Sequence, residues 1–260
     1  MNTQAEVRIC GIRIHNVTMA GAVDRMDELV ARREPSYVVT PNADHIVKLQ
    51  TDAEFWKIYE EAALSVADGM ALLWAGSFLG TPLLEKVSGS DLMPEFCRRA
   101  AEKGYRLFLM GGREGAADGA KRELERRFPG IRIVGTYCPP MGFEKDPAQT
   151  LHIEQLVREA QPDVLFVGLG APKQEKWIYR NHRKLGIPLC AGIGVTFEFM
   201  AGMVKRAPHW MQVAGFEWLW RLAMEPKRLW RRYLVDDPKL FWMVLQQKTG
   251  GRDFSCPKER

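Results

Sequence analysis

Short apolar runs alternate along the chain with segments whose apolar positions recur every three to four residues. The runs at 7–14, 37–40, 64–67, 105–110, 131–135, 164–168 and 188–191 predict strands. The segments 116–128, 148–160 and 173–185 carry the helical period between them. This alternation predicts an α/β fold, Rossmann-like, with a largely parallel sheet and helices on both faces. The texture changes after Gly202: residues 205–233 are rich in Trp and Arg and have no strand signal. They read as a helical appendage, with Pro208 and Pro226 marking helix starts or kinks. The expected organisation is a catalytic α/β domain over 1–202, a basic helical appendage over 203–248 and a disordered tail over 249–260.

Charge sharpens this division. The formal net charge is +5, and residues 201–260 hold twelve Lys/Arg against six Asp/Glu. All of the basic excess therefore lies in the C-terminal segment, which suggests contact with phosphates of a nucleotide, a lipid or a nucleic acid. Trp210, Trp218, Trp220 and Trp230 lie in the same stretch. Interleaved with Arg and Lys, they could lie in a bilayer interface with anionic headgroups, although for a generic basic helix a solvated face with core-packed tryptophans is the commoner reading. The five cysteines include no C-x-x-C pair, so neither a disulfide framework nor a zinc site is expected, and a reducing compartment fits. Glu6 and Arg8 precede any long apolar run, which argues against a signal peptide. The uncharged stretch 69–84 is short for a membrane span and contains Gly, Ser, Thr and Pro. A soluble or peripheral protein is expected.

In open α/β sheets ligands bind beyond the C-terminal ends of the strands, so the residues that follow each strand are the candidates. Thr40-Pro41-Asn42 follows one strand; Thr and Asn can bond a hydroxyl-rich ligand, or Asn42 can cap the next helix. Asp68-Gly69 follows another, as a general base with close substrate access or as a cap for the helix from Met70. Gly111-Gly112 opens a helix where N–H groups suit a phosphate, or makes a tight turn. Gly170-Ala171-Pro172-Lys173-Gln174 offers backbone approach and a reaching amide, or an ordinary strand–helix turn. In the appendage, Arg221, Arg228 and Arg231 would share one face of a continuous helix, a face that Pro226 interrupts. No D-x-D pair, G-x-G-x-x-G, H-E-x-x-H or G-x-S-x-G occurs, and the histidines have no metal spacing. A dinucleotide oxidoreductase shares the fold class but lacks its glycine fingerprint. A nucleic-acid module is disfavoured by the modest charge excess and the enzyme-sized core.

The order of these motifs is more specific than any one of them. Thr40-Pro41-Asn42-Ala43-Asp44-His45, Ala67-Asp68-Gly69-Met70 and Val87-Ser88-Gly89-Ser90-Asp91 come first. Gly168-Leu169-Gly170-Ala171-Pro172-Lys173-Gln174-Glu175, Lys205-Arg206-Ala207-Pro208, Glu217-Trp218-Leu219-Trp220-Arg221 and Glu225-Pro226-Lys227-Arg228 follow. Over residues 8–245 the chain resembles the WecG/TagA/CpsF family of bacterial glycosyltransferases. The resemblance implies an inverting, metal-independent transferase without cofactor. Its donor would be a UDP-sugar, most often of N-acetylmannosamine or its uronic acid, with UDP-glucose as an alternative. Its acceptor would be an undecaprenyl-diphosphate-linked N-acetylglucosamine, in teichoic acid, capsule or exopolysaccharide synthesis. The family's pattern makes Asp68 the general base and places Thr40, Asn42 and Gln174 in the substrate pocket. Arg221, Arg228 and Arg231 would complete the site at the diphosphate, with Gly111 and Gly112 beside the nucleotide. Lys86 stands where many members have Arg, and Glu198 where Asp is usual. A peripheral position on the inner face of the cytoplasmic membrane is implied, with an exposed appendage that also allows self-association.

Overall fold

The computed structural model describes residues 5–257. The elements run β1 (Glu6–Ile9), β2 (Ile12–His15), α1 (Met19–Arg32), β3 (Ser36–Val39), α2 (Ala43–Leu49), α3 (Ala53–Glu60), β4 (Leu64–Ser65) and α4 (Met70–Leu79). They continue with α5 (Gly89–Lys103), β5 (Arg106–Gly111), α6 (Ala116–Arg127), β6 (Arg132–Tyr137), α7 (Pro147–Ala160), β7 (Val164–Gly168), α8 (Lys173–Leu185) and β8 (Leu189–Gly192). Short helices α9 (Thr196–Met200), α10 (His209–Val213), α11 (Glu217–Met224) and α12 (Pro226–Arg231) precede the longer α13 (Lys239–Thr249).

Strands β3 to β8 form one six-stranded sheet in the order β4-β3-β8-β7-β5-β6. Every neighbouring pair is parallel, as the alternation of strands and helices requires. Successive side chains point to opposite faces of a strand, and both faces are covered. Tyr37, Val39, Phe108, Met110, Leu165 and Val167 join one core, with residues of α2, α3, α4, α7, α8 and α13. Val38, Leu107, Leu109, Val164 and Phe166 join the other, under α1, α5, α6 and α9. Burial on both faces explains why these strands read as continuous apolar runs.

The run at 7–14, expected as one strand, is instead a hairpin outside the main sheet. β1 and β2 pair antiparallel with Ile9 opposite Ile12. The two residues between them, Cys10 (φ 48) and Gly11 (φ 80), are both left-handed, which is the backbone a two-residue hairpin turn needs. The phase of burial changes there, from odd positions (Val7, Ile9) to even ones (Ile12, Ile14).

Pro208 immediately precedes α10 and Pro226 opens α12, as their fixed φ favours. The last helix of the segment expected as an appendage lies on the core. α13 buries Leu240, Met243 and Val244, and Gln247 fastens it to the hairpin. Its Oε1 accepts from the Cys10 N–H at 2.6 Å, and its Nε2 donates to the Arg8 carbonyl at 2.9 Å. Phe254, inside the stretch expected as a tail, packs half-buried against the same core; residues 258–260 lie outside the described ones. The Trp-rich part is different. Trp210, Phe216, Leu219, Trp230 and Leu234 are all exposed.

Candidate active site

The ends of β3, β4, β7 and β8 meet on one edge of the sheet, and the appendage lies over them. After β3, Asn42 caps α2: its Oδ1 accepts from the His45 N–H at 3.1 Å. The His45 ring is buried, and its Nδ1 lies 2.7 Å from the Tyr59 hydroxyl. Burial lowers this imidazole to about 3, so it is neutral and held by its neighbours. Thr40 is buried one turn of chain earlier, beside the start of α5. A side chain at Gly89 would meet the Thr40 Oγ1 and the Ile193 backbone. These distances, 3.5–3.8 Å, are ordinary contacts, and they set the N-terminus of α5 against Thr40 and the loop after β8.

After β4, the Asp68 N–H donates to the Pro41 carbonyl at 2.8 Å, which ties the two strand ends together. The cap reading of Asp68 does not hold: Gly69 (φ 108) is the N-cap of α4 and no side chain caps that helix. Space beside Gly69 is open. The half-buried Asp68 carboxyl is pushed up to about 7, chiefly by desolvation and further by the charge of Glu217. Arg221, Lys86 and Arg232 pull in the opposite direction. Lys86 itself lies 4.0 Å from Glu217 and so joins the strand-end loop to α11.

Gln174 is placed at the same edge, but its amide is engaged. Its Oε1 accepts from Gly170 N–H at 3.2 Å and from Gly194 N–H at 3.1 Å, and its Nε2 donates to Glu175 at 2.8 Å. It clamps the loop after β7 to the loop after β8. Gly192 is needed beneath it, because an added Cβ would stand 2.7 Å from the Gln174 Nε2. Glu175 is buried and pushed up to about 7 by desolvation.

The glycines at the end of β5 let the chain pack closely, and the N–H groups that follow are engaged within the fold. The Gly112 N–H donates to the Gly168 carbonyl at 2.6 Å, and the next N–H, of Arg113, donates to Glu198 at 3.1 Å. A Cβ at Gly111 would collide with the Gly168 carbonyl. What reaches outward from this turn is the side chain of Arg113, which meets Glu225 at 3.2 Å.

The appendage arginines divide between two helices. Arg221 is half-buried on α11, and its charge acts on Asp68. The helix breaks before Pro226, and Arg228 and Arg231 are exposed on α12. The face that these three residues would share on a continuous helix is interrupted at Pro226. Two further cations of this segment, Arg206 and Arg232, are largely buried and ion-paired. Arg232 lies 3.9 Å from both Asp44 and Asp237, and burial pushes the Asp237 carboxyl up to about 6. Arg206 grips Asp91 with two bonds, at 2.6 and 2.9 Å, and Asp91 also accepts from the Ser88 hydroxyl at 2.6 Å. The Arg206–Asp91 pair holds the entry of the appendage against the N-terminus of α5. Its signal was legible as the Ser88…Asp91 spacing and the Lys205-Arg206 pair, but nothing in the sequence joined them.

A carboxyl poised near neutrality at a strand end can exchange a proton, and the cations that converge on it from a separate helical segment can balance negative charge beside it. The chain matches the Glycosyl transferase WecG/TagA/CpsF family over residues 7–253 and belongs to it. It is a glycosyltransferase of the hexosyltransferase class. Among its relatives is the N-acetylglucosaminyldiphosphoundecaprenol N-acetyl-beta-D-mannosaminyltransferase of Staphylococcus aureus strain MW2. The two are 28% identical over 229 residues, which is 87% of this chain and 88% of the relative. Proteins of the same name in strains NCTC 8325 / PS 47 and COL are similar to the same degree.

Proposed function

We propose that the protein transfers a sugar from a UDP-sugar to an undecaprenyl-diphosphate-linked N-acetylglucosamine, with inversion and without a metal. N-acetylmannosamine or its uronic acid is the expected sugar, and a cell-surface polysaccharide the expected product. The observation that carries this reading is the Asp68 carboxyl, held near 7 at a strand end with Arg221 and Lys86 facing it. The names of the relatives supply the acceptor. In the reaction an acceptor hydroxyl forms the new bond to the anomeric carbon and passes its proton to Asp68. The bond from that carbon to UDP breaks on the opposite face. General-base assistance of this kind contributes roughly 10²–10⁴-fold. Charge that develops on the departing diphosphate is offset by preorganised cations of the appendage, foremost Arg221 and Arg228. Thr40 and Asn42 border the pocket, while Gln174 shapes it through the loops that it joins.

The enzyme would work as a peripheral protein on the inner face of the cytoplasmic membrane, where its lipid acceptor lies. In keeping with a peripheral position, no helix among the described residues is long and apolar enough to cross a membrane. The test is UDP release by purified protein with a short-chain lipid-diphosphate N-acetylglucosamine, a panel of UDP-sugars and excess EDTA. Acceptor-dependent release from the N-acetylmannosamine donor in EDTA is the expected result. Release only from UDP-glucose would change the donor, and release abolished by EDTA would overturn metal independence.

A further inference from the structure

The turn after β5 and the start of α12 meet through one carboxylate. Glu225 accepts from the Arg113 guanidinium through Oε1 at 3.2 Å, and its Oε2 accepts from Arg228. Arg228, then Arg113 and Arg221, hold this carboxyl below the ordinary glutamate range. Arg221 and Glu225 also line a cavity together with Lys205, Trp220 and Phe199. Among the described residues, neither Lys205 nor Arg221 has a carboxylate within ion-pair distance. One small anion is thus shared by cations that outnumber it. Two guanidiniums that each hold one oxygen of a carboxylate by a single bond have further N–H donors with which to hold the oxygens of a diphosphate. The main-chain N–H groups of Gly112 and Arg113 are spent on Gly168 and Glu198. The outward-facing cation of this turn is therefore the Arg113 side chain.

We infer that Arg113 is a ligand of the donor's diphosphate, and that Glu225 occupies the diphosphate's place between Arg113 and Arg228 until the donor displaces it. The inference rests on the reading that the donor is a nucleoside diphosphate sugar. Arg221 acts on Glu225 and on Asp68 alike, so this grip adjoins the general base. Donor entry would exchange a carboxylate for a stronger anion and free Glu225 from both arginines. The contact between the α/β domain and the appendage would then run through the ligand, so binding of donor would itself draw α12 to the sheet edge.

Calorimetric titration of the full-length protein with UDP, inorganic pyrophosphate and uridine tests this. Arg113→Ala should weaken UDP and pyrophosphate about tenfold, the scale of one charge-assisted contact, and Arg113→Lys should weaken them less. Glu225→Gln removes the competing anion and should tighten both severalfold. Uridine, which carries no phosphate, should bind all variants alike. Unchanged UDP and pyrophosphate affinity in Arg113→Ala would overturn the role of Arg113. Weaker binding in Glu225→Gln, with an unaltered melting profile, would overturn the displacement. If the wild type binds pyrophosphate but not UDP, the uridine donor is wrong, and the Arg113 comparison on pyrophosphate still decides the inference. Failure of the wild type to bind either would overturn the grip itself.

Discussion

Asp68 concentrates the conflict between stability and activity at a single carboxyl. Desolvation raises it to about 7, from the ordinary range near 4. A base must be ionised to accept a proton, so kcat/KM should rise with pH to a plateau above about 7. A profile flat down to pH 5 would remove Asp68 from the role. Asp68→Asn should lower turnover at pH 8 by roughly 10²–10⁴-fold. The same substitution should stabilise the fold. The folded pKa lies above the unfolded one, so the native state binds this proton more tightly. Stability relative to the neutral variant is intact below about 4 and is lost as pH rises through about 7. Thermal melts should therefore show Asp68→Asn a few degrees above wild type at pH 8, and nearly level with it at pH 4. An equal gain at both values would show that the charge is not its cause.

At the scale of elements, the site depends on loops held to one another more than on rigid helices. Gln174 joins the loops after β7 and β8 through the N–H groups of Gly170 and Gly194. Truncation leaves both donors without that partner, at a cost of about 1–3 kcal/mol. Gln174→Ala should accordingly lower the urea midpoint and kcat together. A raised KM with unchanged urea stability would instead make Gln174 a direct substrate contact. The candidate residues at β3 and β4 were legible because strand ends in a parallel sheet are where chains present side chains to ligands. The role of Gln174 was not, because a polar residue after a glycine-rich turn reads the same whether it faces a ligand or two backbone amides. Gly111 and Gly112 are ambiguous in sequence for a related reason. Paired glycines signal close approach, and the Gly168 carbonyl is one group that approaches here.

The whole molecule presents an α/β body with a cationic, tryptophan-bearing segment laid across its strand ends. Trp210, Trp230 and Leu234 are exposed, and with Lys227 and Arg231 in the same segment they would suit an anionic bilayer. Co-sedimentation with vesicles containing anionic lipid should capture the protein, and the combined Trp210→Ala and Trp230→Ala variant should bind several times more weakly. Equal binding to neutral vesicles would argue against the electrostatic part of this reading. α13 stands apart from that surface in its anchoring. Its buried Leu240, Met243 and Val244 belong to the core of the body, so the chain leaves the sheet, crosses its edge and returns.

The apolar pattern by itself determined the layered parallel sheet, because strands buried on both faces need continuous apolar runs and connecting helices need one apolar stripe. The motif order determined the family, and the proline positions marked two helix starts. Other features needed the tertiary structure. It turned the 7–14 run into a hairpin, since apolar Val7, Ile9, Ile12 and Ile14 alternating with Arg8 and Arg13 read as one strand although Cys10-Gly11 turns the chain between them. It brought Arg206 to Asp91 and Arg113 to Glu225, pairs 115 and 112 positions apart. It also set the acidity of Asp68, because desolvation depends on what lies over a carboxyl in space, and Glu217, Arg221 and Arg232, which act on this one, lie more than 140 positions further along the chain.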